Sequence, residues 1–184
     1  MTRVLAVVGT RGPFPRLIEA LALLAAETGW QVCVQHASDL LPSGLEGWRE
    51  LPRAEVLREL ALADAVVCHG GSGTIRDALA AGHRPIVVAR LARHAEHVND
   101  HQLELVAALG ERVVPIEDLA GERLTGALKE AIVVARRQVT VALPGDSLRL
   151  ALGEELAGIA RSQPARRTRL LYGIFGRLFP SASR

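Results

Sequence analysis

Short apolar runs of strand length recur along the chain, at Val4 to Val8, Gln31 to Gln35, Ala65 to Cys68, Pro85 to Ala89 and Arg112 to Ile116. They are rich in valine and do not alternate with polar residues, the pattern of strands covered on both faces. Helical periodicity fills the intervals. Leu17 to Ala26 is dense in leucine and alanine, Ala54 to Leu62 sets Val56, Leu57 and Leu60 on one face, and Gln102 to Leu109 does the same with Leu105, Val106 and Leu109. Strand and helix alternate, so the expected fold is α/β, a Rossmann-like parallel sheet flanked by helices.

The stretch Ser38 to Pro52, broken by Pro42, Gly44 and Gly47, has no period and reads as a loop. Beyond Ile116 the pattern predicts a helix from Glu122 to Arg137. Pro144-Gly145-Asp146-Ser147 reads as a turn feeding an N-cap, with a helix from Leu148 to Arg161 after it. A domain over 1–163 and a tail over 164–184 follow, since 184 residues suit one well-buried domain better than two.

Composition changes the picture at the end of the chain. A net charge of +2 conceals six arginines and no acidic residue between Arg161 and Arg184. From Arg166 to Phe179 the apolar Leu170, Leu171, Ile174, Phe175, Leu178 and Phe179 recur every three to four positions, with Arg166, Arg169 and Arg177 elsewhere on the turn. This predicts a basic amphipathic helical tail, which suits an anionic membrane surface, a partner subunit or its own domain equally. No run approaches the roughly 18 to 20 apolar residues needed to span a bilayer, and no signal peptide precedes Val4. Cys33 and Cys68 each sit in an apolar strand run, which fits a reducing cytoplasm.

The chemistry concentrates in one segment. A buried strand ending at Cys68 is followed by His69-Gly70-Gly71-Ser72-Gly73-Thr74 and then a helix through Ala81. Small residues at a helix N-terminus make an anion site: glycines admit positive φ and close approach of a phosphate, Ser72 and Thr74 carry hydroxyls, and His69 can donate to a phosphate oxygen. The same glycines would also serve a bare strand-to-helix turn. The pattern is neither the G-x-G-x-x-G fingerprint nor a lysine-bearing phosphate loop, so nicotinamide and ATP are disfavoured. Nothing points to nucleic acid.

Asp77, Gly82, the strand Pro85 to Ala89 and Asn99-Asp100-His101-Gln102 accompany the loop. Together, D-A-V-V-C-H-G-G-S-G-T-I-R-D-A-L-A-A-G-H-R-P-I-V-V and N-D-H-Q resemble the C-terminal domain of glycosyltransferase family 28 and its GT-B relatives. The opening V-V-G-T-R-G-P-F-P-R-L-I-E-A-L is similar to a subgroup in which this donor domain is a separate subunit, in the eukaryotic dolichol-linked GlcNAc transferase and in bacterial exopolysaccharide transferases. The resemblance implies that His69 and Gly70 to Thr74 hold the diphosphate of a UDP-sugar, and His69 assists its departure. It implies that Asp77 accepts from the ribose and that His101 and Gln102 read the donor sugar. Gly9, Thr10, Arg11 and Arg90 would line the cleft in second rank.

Simpler readings stand beside each role: a first-turn carboxylate for Asp77, a polar helix start capped by Asn99 or Asp100 for His101-Gln102, and a plain turn for Gly9 to Gly12. Arg90 and Arg93 would add positive charge near the diphosphate or lie in solvent. His94, Glu96, His97, Asp100 and His101 lack zinc spacing and read as a mobile polar loop over the sugar; neither metal nor cofactor is expected. The resemblance further implies an inverting hexosyltransferase acting at the cytosolic membrane face on a polyprenyl-diphosphate-linked saccharide. A membrane-associated acceptor subunit would supply the base, because the chain has no room for an acceptor domain. A non-catalytic nucleotide-binding or scaffold subunit is the alternative.

Overall fold

The computed structural model describes residues 1–10, 12–37, 40–116 and 122–137, all within one compact unit, Met1–Leu148. The helix expected at Leu148 to Arg161, the tail and Arg11 lie outside the described residues. Six parallel strands form a single sheet in the order β3-β2-β1-β4-β5-β6. They are β1 (Arg3–Val7), β2 (Gln31–Gln35), β3 (Glu46–Trp48), β4 (Ala65–His69), β5 (Ile86–Val88) and β6 (Val114–Ile116). The helices are α1 (Pro15–Thr28), α2 (Arg53–Leu62), α3 (Ser72–Ala80), α4 (His101–Leu109) and α5 (Glu122–Arg137).

Alternation along the strands explains the layers. Val4, Ala6, Val32, Val34, Val67, Ile86 and Val88 point to one face and form a core with Leu17, Leu21 and Leu24 of α1 and Leu124, Leu128 and Ile132 of α5. The intervening Leu5, Cys33, Val66, Cys68 and Val87 are equally buried on the other face, where α2 packs near β1 and α3 near β4. The central strands β1, β2, β4 and β5 are therefore buried on both faces, as their valine runs imply. Both cysteines are free and buried. Burial pushes the Cys68 thiol up to about 12, so it is inert packing.

Helix ends follow local chemistry. Pro15 opens α1, where its missing N–H is harmless, and Gly29 closes it in the left-handed region at φ +65°, its amide donating to Ala25 O. One expectation fails in the stretch Ser38 to Pro52, which contains β3, a three-residue edge strand in register with Cys33 to Gln35. The pairing has no periodic signature because it rests on backbone hydrogen bonds and on Gly47, where a Cβ would sit 2.1 Å from Val34 O. A glycine inside a strand can mark close backbone approach as well as a break.

The strand order reverses direction between β1 and β4, both of which start from the sheet centre. Their crossovers leave in opposite directions, opening a crevice at the carboxyl edge where open parallel sheets take ligands.

Candidate functional site

A cavity of about 470 Å³ lies at that edge. Its walls come from the ends of β1 (Val7, Val8, Gly9, Thr10), β2 (Gln35) and β4 (His69). The remainder comes from the first turns of α2 and α3, from Arg90 after β5, and from His97 and Gln102 around the start of α4.

His69 is the hinge of this arrangement. As the last residue of β4 it reaches back across the sheet, and Nδ1 lies 3.2 Å from Val7 O. A carbonyl only accepts, so Nδ1 carries the proton. Burial pushes the imidazole pKa down to about 4, against the Val7 bond that favours the charged ring, and Arg90 and His97 add to the lowering. The ring is neutral at neutral pH and Nε2 is a bare acceptor. The expected donation from His69 to a phosphate oxygen would need a proton on Nε2, which this tautomer lacks.

The same ring explains two glycines. A Cβ on Gly71 would stand 2.3 Å from Nε2, and one on Gly9 2.8 Å from Cε1, with Gly9 already at φ +86°. At Gly70 a Cβ would meet the Gln102 Cβ at 2.6 Å. Gly70, Gly71 and Gly73 do not adopt positive φ, so Gly70 and Gly71 are required by the side chains pressed against them. Gly73 differs, since nothing lies within 4 Å of its absent Cβ and it faces the cavity.

The backbone amides divide in the same way. Gly70 N donates to Gln102 Oε1 at 3.0 Å and Gly71 N to His69 O at 2.7 Å, so both are occupied. Ile75 N closes onto Gly71 O. Ser72, Gly73 and Thr74, in the first turn of α3, have amides with no acceptor among the described residues, and no side chain caps the helix. The positive end of α3 thus opens beside the cavity through Gly73 and Thr74. Gly70 and Ser72 do not face it.

Gln102 is buried, and its Oε1 accepts from Gly70 N and from Arg90 N at 2.9 Å. Both partners are donors, which fixes the orientation of the amide and leaves only the amide nitrogen for a ligand. Arg90 is buried as well. Its guanidinium donates to the carbonyls of Val8 (2.8 Å), Gly12 (3.0 Å) and Pro13 (2.7 Å) and lies 4.7 Å from the Phe14 ring. Instead of a free cation for a diphosphate, Arg90 is the brace of the loop after β1. Burial lowers its pKa.

Asp77 lines the cavity one turn into α3, but its carboxylate is engaged. Arg53 forks onto it at 2.8 and 3.0 Å, and Arg76 adds contacts at 3.3 Å. The hydrogen bond from Arg53 is the largest cause of its lowered pKa.

Residues 54–142 match the model of the glycosyltransferase family 28 C-terminal domain. Among solved structures the chain is similar in fold to the glycotransferase of kitacinnamycin, with 23% identity and a TM-score of 0.53 over 84% of this chain and 40% of that one. It is likewise similar to CalG4, the calicheamicin glycosyltransferase, with 23% identity and a TM-score of 0.53 over 97% and 44%. The chain thus spans less than half the length of these structures. No curated protein matches it.

Sequence reasoning and geometry part at several residues of this cavity. His101 is exposed, bonded to Asn99 Oδ1 and set edge-on to His97, 4.6 Å away, and it does not line the cavity. His97 lines it instead, with a buried Nδ1 that has no hydrogen-bond partner among the described residues. The loop expected to be mobile is tied down: Glu96 pairs with Arg16 at 3.0 Å and accepts from Leu91 N, and Asp100 accepts from Ala92 N. Arg53 and Gln35 escaped notice because each lies far in sequence from the glycine loop, whereas His97 was expected only as one member of the polar loop over the sugar. The signal for Arg53 was its place at the first turn of a helix that starts on the ligand edge. Among the described residues no three potential ligands converge on a metal position, and no helix is long and apolar enough to cross a membrane.

Proposed function

We propose that the chain is the donor-binding catalytic subunit of an inverting glycosyltransferase that takes its sugar from a UDP-sugar. Glycosyltransferase donor binding is the coarse level supported by the family match. The observation that carries the reading to this cavity is the first turn of α3, where free amides at Gly73 and Thr74 open onto a 470 Å³ space at the crevice of the sheet. In this reading the diphosphate lies on those amides, which stabilise charge as it departs. The ribose approaches Asp77, whose Oδ2 accepts one hydrogen bond, from Arg53, against three on Oδ1. The donor sugar lies toward Gln102 and His97. No cofactor or metal is required.

The acceptor hydroxyl attacks the anomeric carbon in line and inverts it, with its proton removed by a base on a membrane-associated acceptor subunit. By its resemblance to two-subunit enzymes, we propose a polyprenyl-diphosphate-linked saccharide as acceptor, in exopolysaccharide or related glycan synthesis, at the inner face of the cytoplasmic membrane. A domain over 1–163 would do the binding, and the tail over 164–184 would meet the membrane or the partner. Calorimetric titration of the protein with UDP tests the core of this reading. Binding tighter than about 1 mM is expected, and no detectable heat for UDP or any UDP-sugar would leave the non-catalytic scaffold subunit as the better account.

A further inference from the structure

Gln35 is the last residue of β2 and is only 5% exposed. Val32 and Val34 join the core with α1 and α5, so alternation turns Gln35 to the opposite face, with Cys33. Its main-chain carbonyl is taken, accepting from Val8 N at 3.1 Å. Its carboxamide makes no hydrogen bond among the described residues, and Gln35 lines the cavity. Unlike Nδ1 of the neighbouring His36, which is sealed from solvent, the polar atoms of this amide keep access to the open side. A polar side chain that ends an apolar strand and finds no partner there is a cost of burial that the fold itself does not offset. A ligand bringing one donor and one acceptor offsets it.

The order of the strands says which part of a ligand comes there. In the donor-site reading the diphosphate lies at the start of α3, after β4, and the sugar extends toward Gln102 and His97 on the side of β5. The nucleoside then runs the other way, across β1 toward β2 and α2. Leu51, just before α2, and Val56, in its first turn, give that wall two part-buried aliphatic side chains for the flat face of a base. Arg53 and Asp77 border the same space but are committed to each other, which leaves the Gln35 amide as the group there with both a donor and an acceptor to give.

We propose that Gln35 reads the nucleobase, its amide N–H donating to O4 of a uracil ring while its amide oxygen accepts from N3–H. This rests on the donor-site reading above and deepens it. A carboxamide carries a donor and an acceptor side by side, and this edge of uracil carries the matching acceptor and donor. Both bonds are neutral, so they add modestly to affinity. They discriminate strongly, because a base lacking the match leaves the buried amide unpaired.

The experiment titrates the full chain calorimetrically with UDP and with 3-methyl-UDP, whose N3 carries a methyl group in place of the hydrogen. Wild type is compared with Gln35→Met, which keeps the length of the side chain and removes its amide. Wild type should bind UDP about tenfold more tightly than the methylated ligand, or more, since two neutral hydrogen bonds are at stake. Gln35→Met should bind both ligands within about threefold of each other. Equal affinity of wild type for the two, or a preference for UDP that survives unchanged in Gln35→Met, overturns the proposal and leaves the donor site standing. Failure of wild type to bind UDP removes both. Should Gln35→Met not fold, the side-chain amide resonances of Gln35 in wild type decide: a downfield proton shift with UDP that 3-methyl-UDP does not produce supports the proposal, and equal or absent shifts overturn it.

Discussion

At the scale of the residue, His69 organises its surroundings more than any glycine near it. Its ring occupies the space that side chains at Gly9 and Gly71 would need, and its Nδ1–H joins the ends of β4 and β1. The cost of that position is electrostatic. A value of about 4 in the folded chain, against an ordinary 6.5, means that the folded state binds fewer protons than the unfolded one below neutrality. The stability that goes with a neutral ring is complete above pH 6.5 and is lost as the pH falls toward 4. The full effect is about 3 kcal/mol. Chemical denaturation at pH 7 and pH 4.5 should show a loss in wild type that is smaller in His69→Gln; equal losses would place the acid sensitivity elsewhere. The histidine and its glycines were legible in sequence as a cluster. The tautomer was not, because it depends on a carbonyl 62 residues away.

At the scale of the element, α3 begins with a defect and keeps it. Gly71 is an N-cap without a side-chain cap, and Gly73 lowers helix propensity in the first turn. Since a Cβ at Gly73 meets nothing within 4 Å, packing does not demand glycine there. Replacement by alanine should raise stability by up to about 1 kcal/mol while weakening UDP binding, because the new methyl stands in the cavity. Thermal melts and titrations on the one variant measure both arms. Unchanged UDP affinity in Gly73→Ala would separate the nucleotide from the start of α3. The helix pattern and the loop were read from the sequence to within a residue or two. The short β3 was missed, because an edge strand of three residues leaves too few positions for a period to appear.

At the scale of the whole molecule, the loops after β1 and β5 form one braced body across the carboxyl edge. Arg90 gives its guanidinium hydrogens to carbonyls of Val8, Gly12 and Pro13, Arg16 clasps Glu96, and Gln102 ties Arg90 N to the glycine loop. Arg90→Met should keep much of the packing on Phe14 yet strand several buried carbonyls, at a cost of about 2–4 kcal/mol. Denaturant titration measures it, and a loss below about 0.5 kcal/mol would mean that water replaces the guanidinium freely.

The sequence by itself determined the layered α/β fold, because doubly buried parallel strands must be apolar throughout and their crossover helices must be amphipathic. It also pointed to the candidate ligand edge, because the glycine loop ends a strand and starts a helix. Only the tertiary structure decided which groups are free to meet a ligand. Hydrogen-bond donors and charges are shared among residues distant in sequence, so Arg90 and the amides of Gly70 and Gly71 turn out to be engaged, His101 turns outward, and Arg53 and His97 enter the site. Residue type states what a side chain can offer, and its neighbours determine whether that offer is already taken.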